Sequence, residues 1–350
     1  MSSISSDSVL RAVLALAGLA MALTMVLAAL IVALRLRLRR RQRHAQEFAA
    51  KWRPVLMAAV VDPAGAVLPP LQRRDEFAFL KLWNYLHESL RGDASEHLNA
   101  LARRLHCDES ATRMLAGGDR AGRLLAILTI GHLRERSAWH ALRAAAAARD
   151  GVMSLMAARA LIQIDGRAGA ECLLPFVLAR RDWEIPRLAR MLEPARAAFQ
   201  VLIIQALRGL PAERLLRALQ LAEALRMELP QRSLGQLMQA GQPPEVVAAA
   251  LRLVSHPSQL PAVKAQLDHP QWRVRVEAIH ALGRLGQAAD VRALSRLLDD
   301  DQWWVRYRAA HTLISSPLLE PAELAELCAA AHSAHAAGVL AHAMAERRLS

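Results

Sequence analysis

The chain has 350 residues, enough for two ordinary domains or one long repeat array. Apolar residues make up 54% and aromatics only 4%, with the excess in Ala and Leu; this abundance of strong helix formers argues against a sheet-rich fold and for an all-α one. The formal charge of +13 rests almost wholly on Arg, since Lys occurs only as Lys51, Lys81 and Lys264. Beyond residue 50 it is spread thinly, without alternating aromatics, which reads as solvated helix surface rather than a nucleic-acid footprint.

Residues 1–11 form a short Ser-rich tail, expected to be extracytoplasmic. Ala12 to Leu34 is a 23-residue run without a charge, interrupted only by Gly18 and Thr24. As a helix it is roughly 34 Å long, enough to cross a hydrocarbon core of about 30 Å. Arg35, Arg37, Arg39, Arg40, Arg41 and Arg43 follow at once. The sequence therefore predicts a single transmembrane helix at 12–34. By the positive-inside rule, the amino terminus lies outside and the carboxyl-terminal domain in the cytoplasm, at the inner membrane. A cleaved signal peptide fits less well, because the charge follows the apolar run and the run is too long. The six arginines are expected among anionic lipid headgroups. Gly18 with Ala22, and Ala29 with Ala33, have the four-residue spacing that lets two helices approach, so a homodimer is allowed.

Residues 35–70 read as a basic juxtamembrane helix, interrupted near Trp52 and Pro54, and then a Pro-rich linker through Pro63, Gly65, Pro69 and Pro70. Residues 71–118 form a helical capping region. In it Phe77, Leu80, Leu82, Trp83, Leu86 and Leu90 mark one amphipathic helix, and Gly92-Asp93 stops it before a second. Over 119–240 the helical pattern is divergent. Ile130, Leu161 and Leu192 are 31 apart, as are Ile127, Ala158 and Ala189, and Asp119 and Asp150 are placed as N-caps. The register is lost after about 195, where Pro211, Pro230, Pro243 and Pro244 divide the chain into short pieces.

The register returns over 241–350. Asp268-His-Pro-Gln-Trp-Arg-Val-Arg is answered by Asp299-Asp-Asp-Gln-Trp-Trp-Val-Arg, every pair 31 apart. Leu251, Leu282, Leu313 and Met344 share one phase; Val247, Ala278, Ala309 and Leu340 share another; Ala250, Ala281, Thr312 and Ala343 a third. Offsets of three and four fall on one helix face, so these positions predict a seam between stacked helical hairpins.

Asp268, Val274-Arg275, Ala278 and Leu282, repeated as Asp299, Val305-Arg306, Ala309-Ala310 and Leu313, resemble HEAT repeats of the PBS lyase HEAT-like kind, here in a membrane-anchored, bacterial-type form. The resemblance is specific over about 260–314, weaker over 119–192 and 320–345, and absent from 1–70. It implies an α-α superhelical solenoid of antiparallel helix pairs behind the transmembrane helix, acting as a scaffold or adaptor. It also implies a ladder in which Asp268 and Asp299 pair with Arg275 or Arg306. In the first block Met156 stands where Arg275 does in the second, so the ladder is not expected there.

Trp304, Arg308, Arg273 and Trp303 are the candidate protein-binding residues, because Trp beside Arg is a common anchor composition at interfaces. Trp272 and Trp303 are equivalent, so at least one is expected to wedge between repeats. His332, His335 and His342, with Cys328 one turn earlier, could mark a metal-binding face, but decoration of a terminal helix fits them better. Cys107, Cys172 and Cys328 form no C-x-x-C pair, and no P-loop, dinucleotide, zincin or nucleophile-elbow motif occurs. No catalytic, cofactor or metal residue is therefore expected. The reading is a membrane-tethered helical-repeat scaffold presenting a cytoplasmic surface to a protein partner, for an envelope or signalling complex. The alternatives are a lyase-like repeat enzyme and, more remotely, a nucleic-acid-binding repeat protein.

Overall fold

The structure, a computed structural model of the chain, describes residues 3–315, 322–323, 326–327 and 333–349. Every regular element among them is helical. The chain divides into two compact units, Met1–Ala138 and Trp139–Ser350.

In the first unit, α1 (Ser3–Val61) is one continuous helix that runs through Pro54. Proline costs a helix a hydrogen bond and a steric clash. Here Phe48 and Trp52 before it and Leu56 and Ala59 after it are all buried, and α1 packs on α2 (Glu76–Ser89) and α3 (Asp93–Arg104), so tertiary packing holds the helix on both sides of the break expected at Pro54. Trp52 meets Phe79 edge-on at 4.9 Å. Between α2 and α3, Gly92 adopts φ +66° with ψ −142°, a region closed to residues with a Cβ, which is why the turn falls there. α4 (Cys107–Gly117) and α5 (Arg120–Leu133) complete the unit as a hairpin, with Asp119 capping α5 by accepting from the Gly122 N–H.

The transmembrane helix expected at 12–34, and with it the single-pass inner-membrane placement, needs correction. Among the described residues no helix is long and apolar enough to cross a membrane. The run at 12–34 carries no charge over its 23 residues. It is also one stretch of a 59-residue helix that continues unbroken through the arginines.

The second unit contains α6 (Trp139–Ala146), α7 (Gly151–Ile164), α8 (Gly166–Ala179), α9 (Ile185–Leu192), α10 (Arg196–Ala206), α11 (Ala212–Ala224) and α12 (Gln231–Leu237). α13 (Pro244–Arg252), α14 (Leu260–Ala265), α15 (Trp272–Leu285), α16 (Val291–Arg296), α17 (Trp303–Ser315) and α18 (Ala334–Leu349) follow. α7, α9, α11, α13, α15, α17 and α18 succeed one another as packed neighbours in one row. α6, α12, α14 and α16 each lie against the helix that follows them, and α8 packs on α7 and α10. This is an α solenoid. Its seam consists of the 31-residue phases: Leu251, Leu282, Leu313, Val247, Ala278, Ala309, Leu340, Ala250, Ala281, Thr312 and Ala343 are all buried, and Met344 is half-buried. Small residues at the centre bring helices close; at Gly283 an added Cβ would collide with the Thr312 methyl on the next helix.

Arginine joins the repeats by a recurring device. The last carbonyls of a helix lack intrahelical partners and carry partial negative charge. Arg180 donates to Ala146 and Ala148 at 3.1 and 2.7 Å, and Arg217 to Val177 and Trp183, both at 2.5 Å. Arg284 donates to Leu251, Arg252 and Val254, each at 3.2 Å, and Arg347 to Ile314. A second tie is ionic: Lys264 on α14 pairs with buried Asp290, just ahead of α16.

Candidate functional site

α17 opens Trp303-Trp304-Val305-Arg306-Tyr307-Arg308. Val305 is fully buried and fixes the helix rotation, which leaves both tryptophans outward, 45% and 56% exposed. Trp303 and Tyr307, one turn apart, stack with centroids 5.0 Å apart and planes 13° from parallel, and Trp304 stands edge-on to Trp303 at 4.7 Å. Tyr307 Oη donates to Glu346 Oε2 on α18 at 2.9 Å, and that hydrogen bond, with burial, raises the phenol pKa. His342 Nε2 lies 3.5 Å from the other oxygen of Glu346. A groove of about 310 Å³ runs between the two helices, lined by Trp303, Arg306, His335, Gly338, Val339 and His342. The cluster is therefore an exposed aromatic ledge, held from beneath by one carboxylate and bordered by imidazoles.

The other sequence-selected residues distribute as follows. Arg308 is half-buried; with burial first and Arg284 beside it, it depresses the pKa of His280 on α15. Arg273 lies over the Trp272 ring at 5.4 Å and lines a different groove of about 640 Å³ among α11, α13 and α15. That groove is of mixed charge: Arg252, held at 2.8 Å to Glu223 and 3.1 Å to Glu277, shares it with Glu245. Trp272 is half-buried, and Trp303 stands on the surface rather than as a wedge. The large buried fillers are Trp52, Trp83 and Trp183, outside the two best-matched repeats.

Arg275 Nη1 donates to the carbonyls of His269 and Pro270, and Arg306 Nη1 to their equivalents on Asp300 and Asp301. Arg275 Nη2 then reaches the carboxylates of Asp300 and Asp301 in the next repeat, at 2.6 and 2.9 Å. Asp268 pairs with Arg296 at 2.8 Å, and Asp299 accepts from Ser333.

Arg35, Arg37, Arg39, Arg40, Arg41 and Arg43 lie within α1; of these, Arg35, Arg39 and Arg43 have described, exposed side chains. Among the described residues no group of three or more His, Cys, Asp or Glu is placed to hold a metal ion. His332 and Cys328 lie outside the described residues.

Sequence reasoning missed Tyr307, Glu346 and His342 as partners of the tryptophans. The spacing Trp303-x-x-x-Tyr307 was the available signal for the stack; the pairing to Glu346 is 39 residues distant and has none.

Comparison with known families agrees with this architecture. A family described as HEAT repeats matches residues 232–314 and again, in overlapping register, 260–345. The match covers the carboxyl-terminal third of the chain and agrees with the α solenoid described above. No curated protein matches the chain.

Proposed function

We propose that the chain docks a protein partner on the α17–α18 face, with Trp303 and Trp304 as the anchors. The observation that carries this reading is the pair of adjacent tryptophans left outside the core, one of them locked by the Tyr307 stack. Aromatic side chains immobilised before binding lose little entropy on association and dominate interface energies. Arg308 flanks them and supplies a cation at the rim, and the groove of about 310 Å³ beside Trp303 offers a recess for a partner side chain. Arg275 and Arg306 belong to the frame, since their guanidinium groups are committed to turn carbonyls and carboxylates.

The test is affinity capture with the full chain and with Trp303→Ala/Trp304→Ala. The wild type should retain a stoichiometric protein partner. The double variant should lose it while melting at the same temperature, because neither ring fills the core. Retention of the same partner at the same yield by a folded double variant would remove this face as the docking site.

A further inference from the structure

A separate groove of about 500 Å³ lies between α7 and α9, in the part of the second unit that precedes the family match. Its charged lining is Arg159 from α7 and Arg187 and Arg190 from α9; no carboxylate lines it. All three arginines are exposed. Arg159 and Arg190 are 31 residues apart, so the repeat itself brings them into register across the groove, and Arg187 stands one turn before Arg190. The remaining lining is Leu155, Ile162, Met191, Pro194 and Gln163.

Arg187 and Arg190 differ from the arginines that tie the repeats together. Arg180, Arg217, Arg275 and Arg284 are spent on helix-end carbonyls and carboxylates, and Arg252 on Glu223 and Glu277. Arg187 and Arg190 make no hydrogen bond or ion pair among the described residues. The acids nearest in sequence, Glu184 and Glu193, do not line the groove. Arg187 and Arg190, one turn apart on α9, repel each other, and a ligand that brings negative charge relieves that repulsion. Guanidinium forks match carboxylates in two-point geometry, and the apolar wall rewards a side chain inserted between them.

From this we infer that the α7–α9 groove binds an acidic peptide segment of a partner protein, with Glu or Asp carboxylates on Arg187 and Arg190 and an interspersed apolar residue against Leu155, Ile162 and Met191. The site is independent of the tryptophan ledge, and either can fail without the other. A nucleic-acid strand would satisfy the charge but gain little from an aliphatic wall that lacks stacking rings.

The experiment is fluorescence anisotropy of the full chain with a short labelled peptide of alternating glutamate and leucine. Controls are the lysine–leucine counterpart and an oligothymidylate competitor. The acidic peptide should bind, the basic one should not, and affinity should fall with added salt. Arg187→Glu/Arg190→Glu should weaken binding about tenfold or more, and the gentler Arg187→Gln/Arg190→Gln should move it in the same direction. Trp303→Ala/Trp304→Ala should leave it unchanged. Absence of peptide binding, equal binding by both folded arginine variants, or displacement by oligothymidylate at lower concentration than by unlabelled peptide would overturn the inference.

Discussion

Arg275 and Asp300 form a nearly buried ion pair that fastens one repeat to the next: Nη2 stands 2.6 Å from Oδ1, with the side chains 11% and 7% exposed. Asp300 also accepts from the Gln302 N–H, while Arg275 keeps a buried Nε with no partner among the described residues. Removing one member of such a pair strands the other charge, whereas replacing both with apolar groups is far milder. Arg275→Ala should therefore cost about 3 kcal/mol or more in urea unfolding, and Arg275→Met/Asp300→Leu much less. A single variant losing under about 1 kcal/mol would mean the pair carries no stability.

The helix–helix approach at Gly283 makes a second, reciprocal prediction. A Cβ there would strike the Cγ2 methyl of Thr312, which is itself buried. Gly283→Ala should destabilise by about 1–2 kcal/mol net, overpacking outweighing the gain in helix propensity. Adding Thr312→Ser removes that methyl and should recover most of the loss. If the two substitutions simply add in thermal melts, the close approach is not the cause.

The seam was legible because Leu and Ala recur at a fixed period and burial demands nothing more specific. Val274 with Val305, Ala278 with Ala309 and Leu282 with Leu313 mark it in sequence and are buried in the structure. The polar contacts were harder to read. The 31-residue spacing equates Asp268 with Asp299, yet the carboxylate facing Arg275 is Asp300, whose own equivalent is His269. Three consecutive aspartates offer three registers, and only the course of the turn chooses between them. The tryptophan ledge was half legible: the residue types stood out, but exposure depends on how α18 meets α17, which sequence spacing does not encode. Pro54 misled for the opposite reason, since packing of Trp52 and Leu56 overrides its helix-breaking tendency.

Cysteine reactivity should separate by burial. Burial first, then Asp108 and Glu76, push the Cys107 thiol up to about 12, and the side chain is almost inaccessible. Cys172 is half-buried, and its thiol is raised chiefly by burial, with Arg143 opposing. Since the thiolate is the nucleophile, maleimide labelling of the native chain followed by peptide mapping should modify Cys172 well before Cys107. Equal rates at both sites would show that the α4 region opens readily.

His87 and Asp290 are among the groups that make stability fall on acidification. Burial depresses the pKa of His87, against the opposing pull of its Asn99 hydrogen bond and of Glu96 and Glu88, and its ring stacks on His132 at 4.2 Å. The unfolded chain binds that proton more readily. The contribution is therefore complete above the unfolded value near 6.5 and lost as pH falls through the lower folded one. Asp290 acts at lower pH. Burial works against its charge, but the Lys264 ammonium and the Gln287 N–H outweigh burial and hold its carboxyl below the usual range. Its contribution is present above the unfolded value near 3.8 and disappears as pH falls through the folded one. Melting temperature should decline in two stages on acidification. His87→Gln should flatten the first and Lys264→Met the second; an unaltered profile in either variant would reassign that stage.

The most severe variant should be Ala309→Arg. Ala309 is fully buried at the centre of the seam, in phase with Ala278 and Leu340, where α17 packs against both α15 and α18. A guanidinium has no route to solvent from that position and no carboxylate among the seam residues to meet it, so burial of an unpaired charge adds to overpacking. The loss should exceed about 4 kcal/mol and unfold the carboxyl-terminal repeats. Because each repeat in such an array is stabilised by its neighbours, the damage should spread first to α15 and α18 and decay toward α7. Hydrogen exchange read by mass spectrometry would follow that gradient peptide by peptide. Uniform protection equal to wild type across α15–α18 would contradict the stacked-repeat account of this unit.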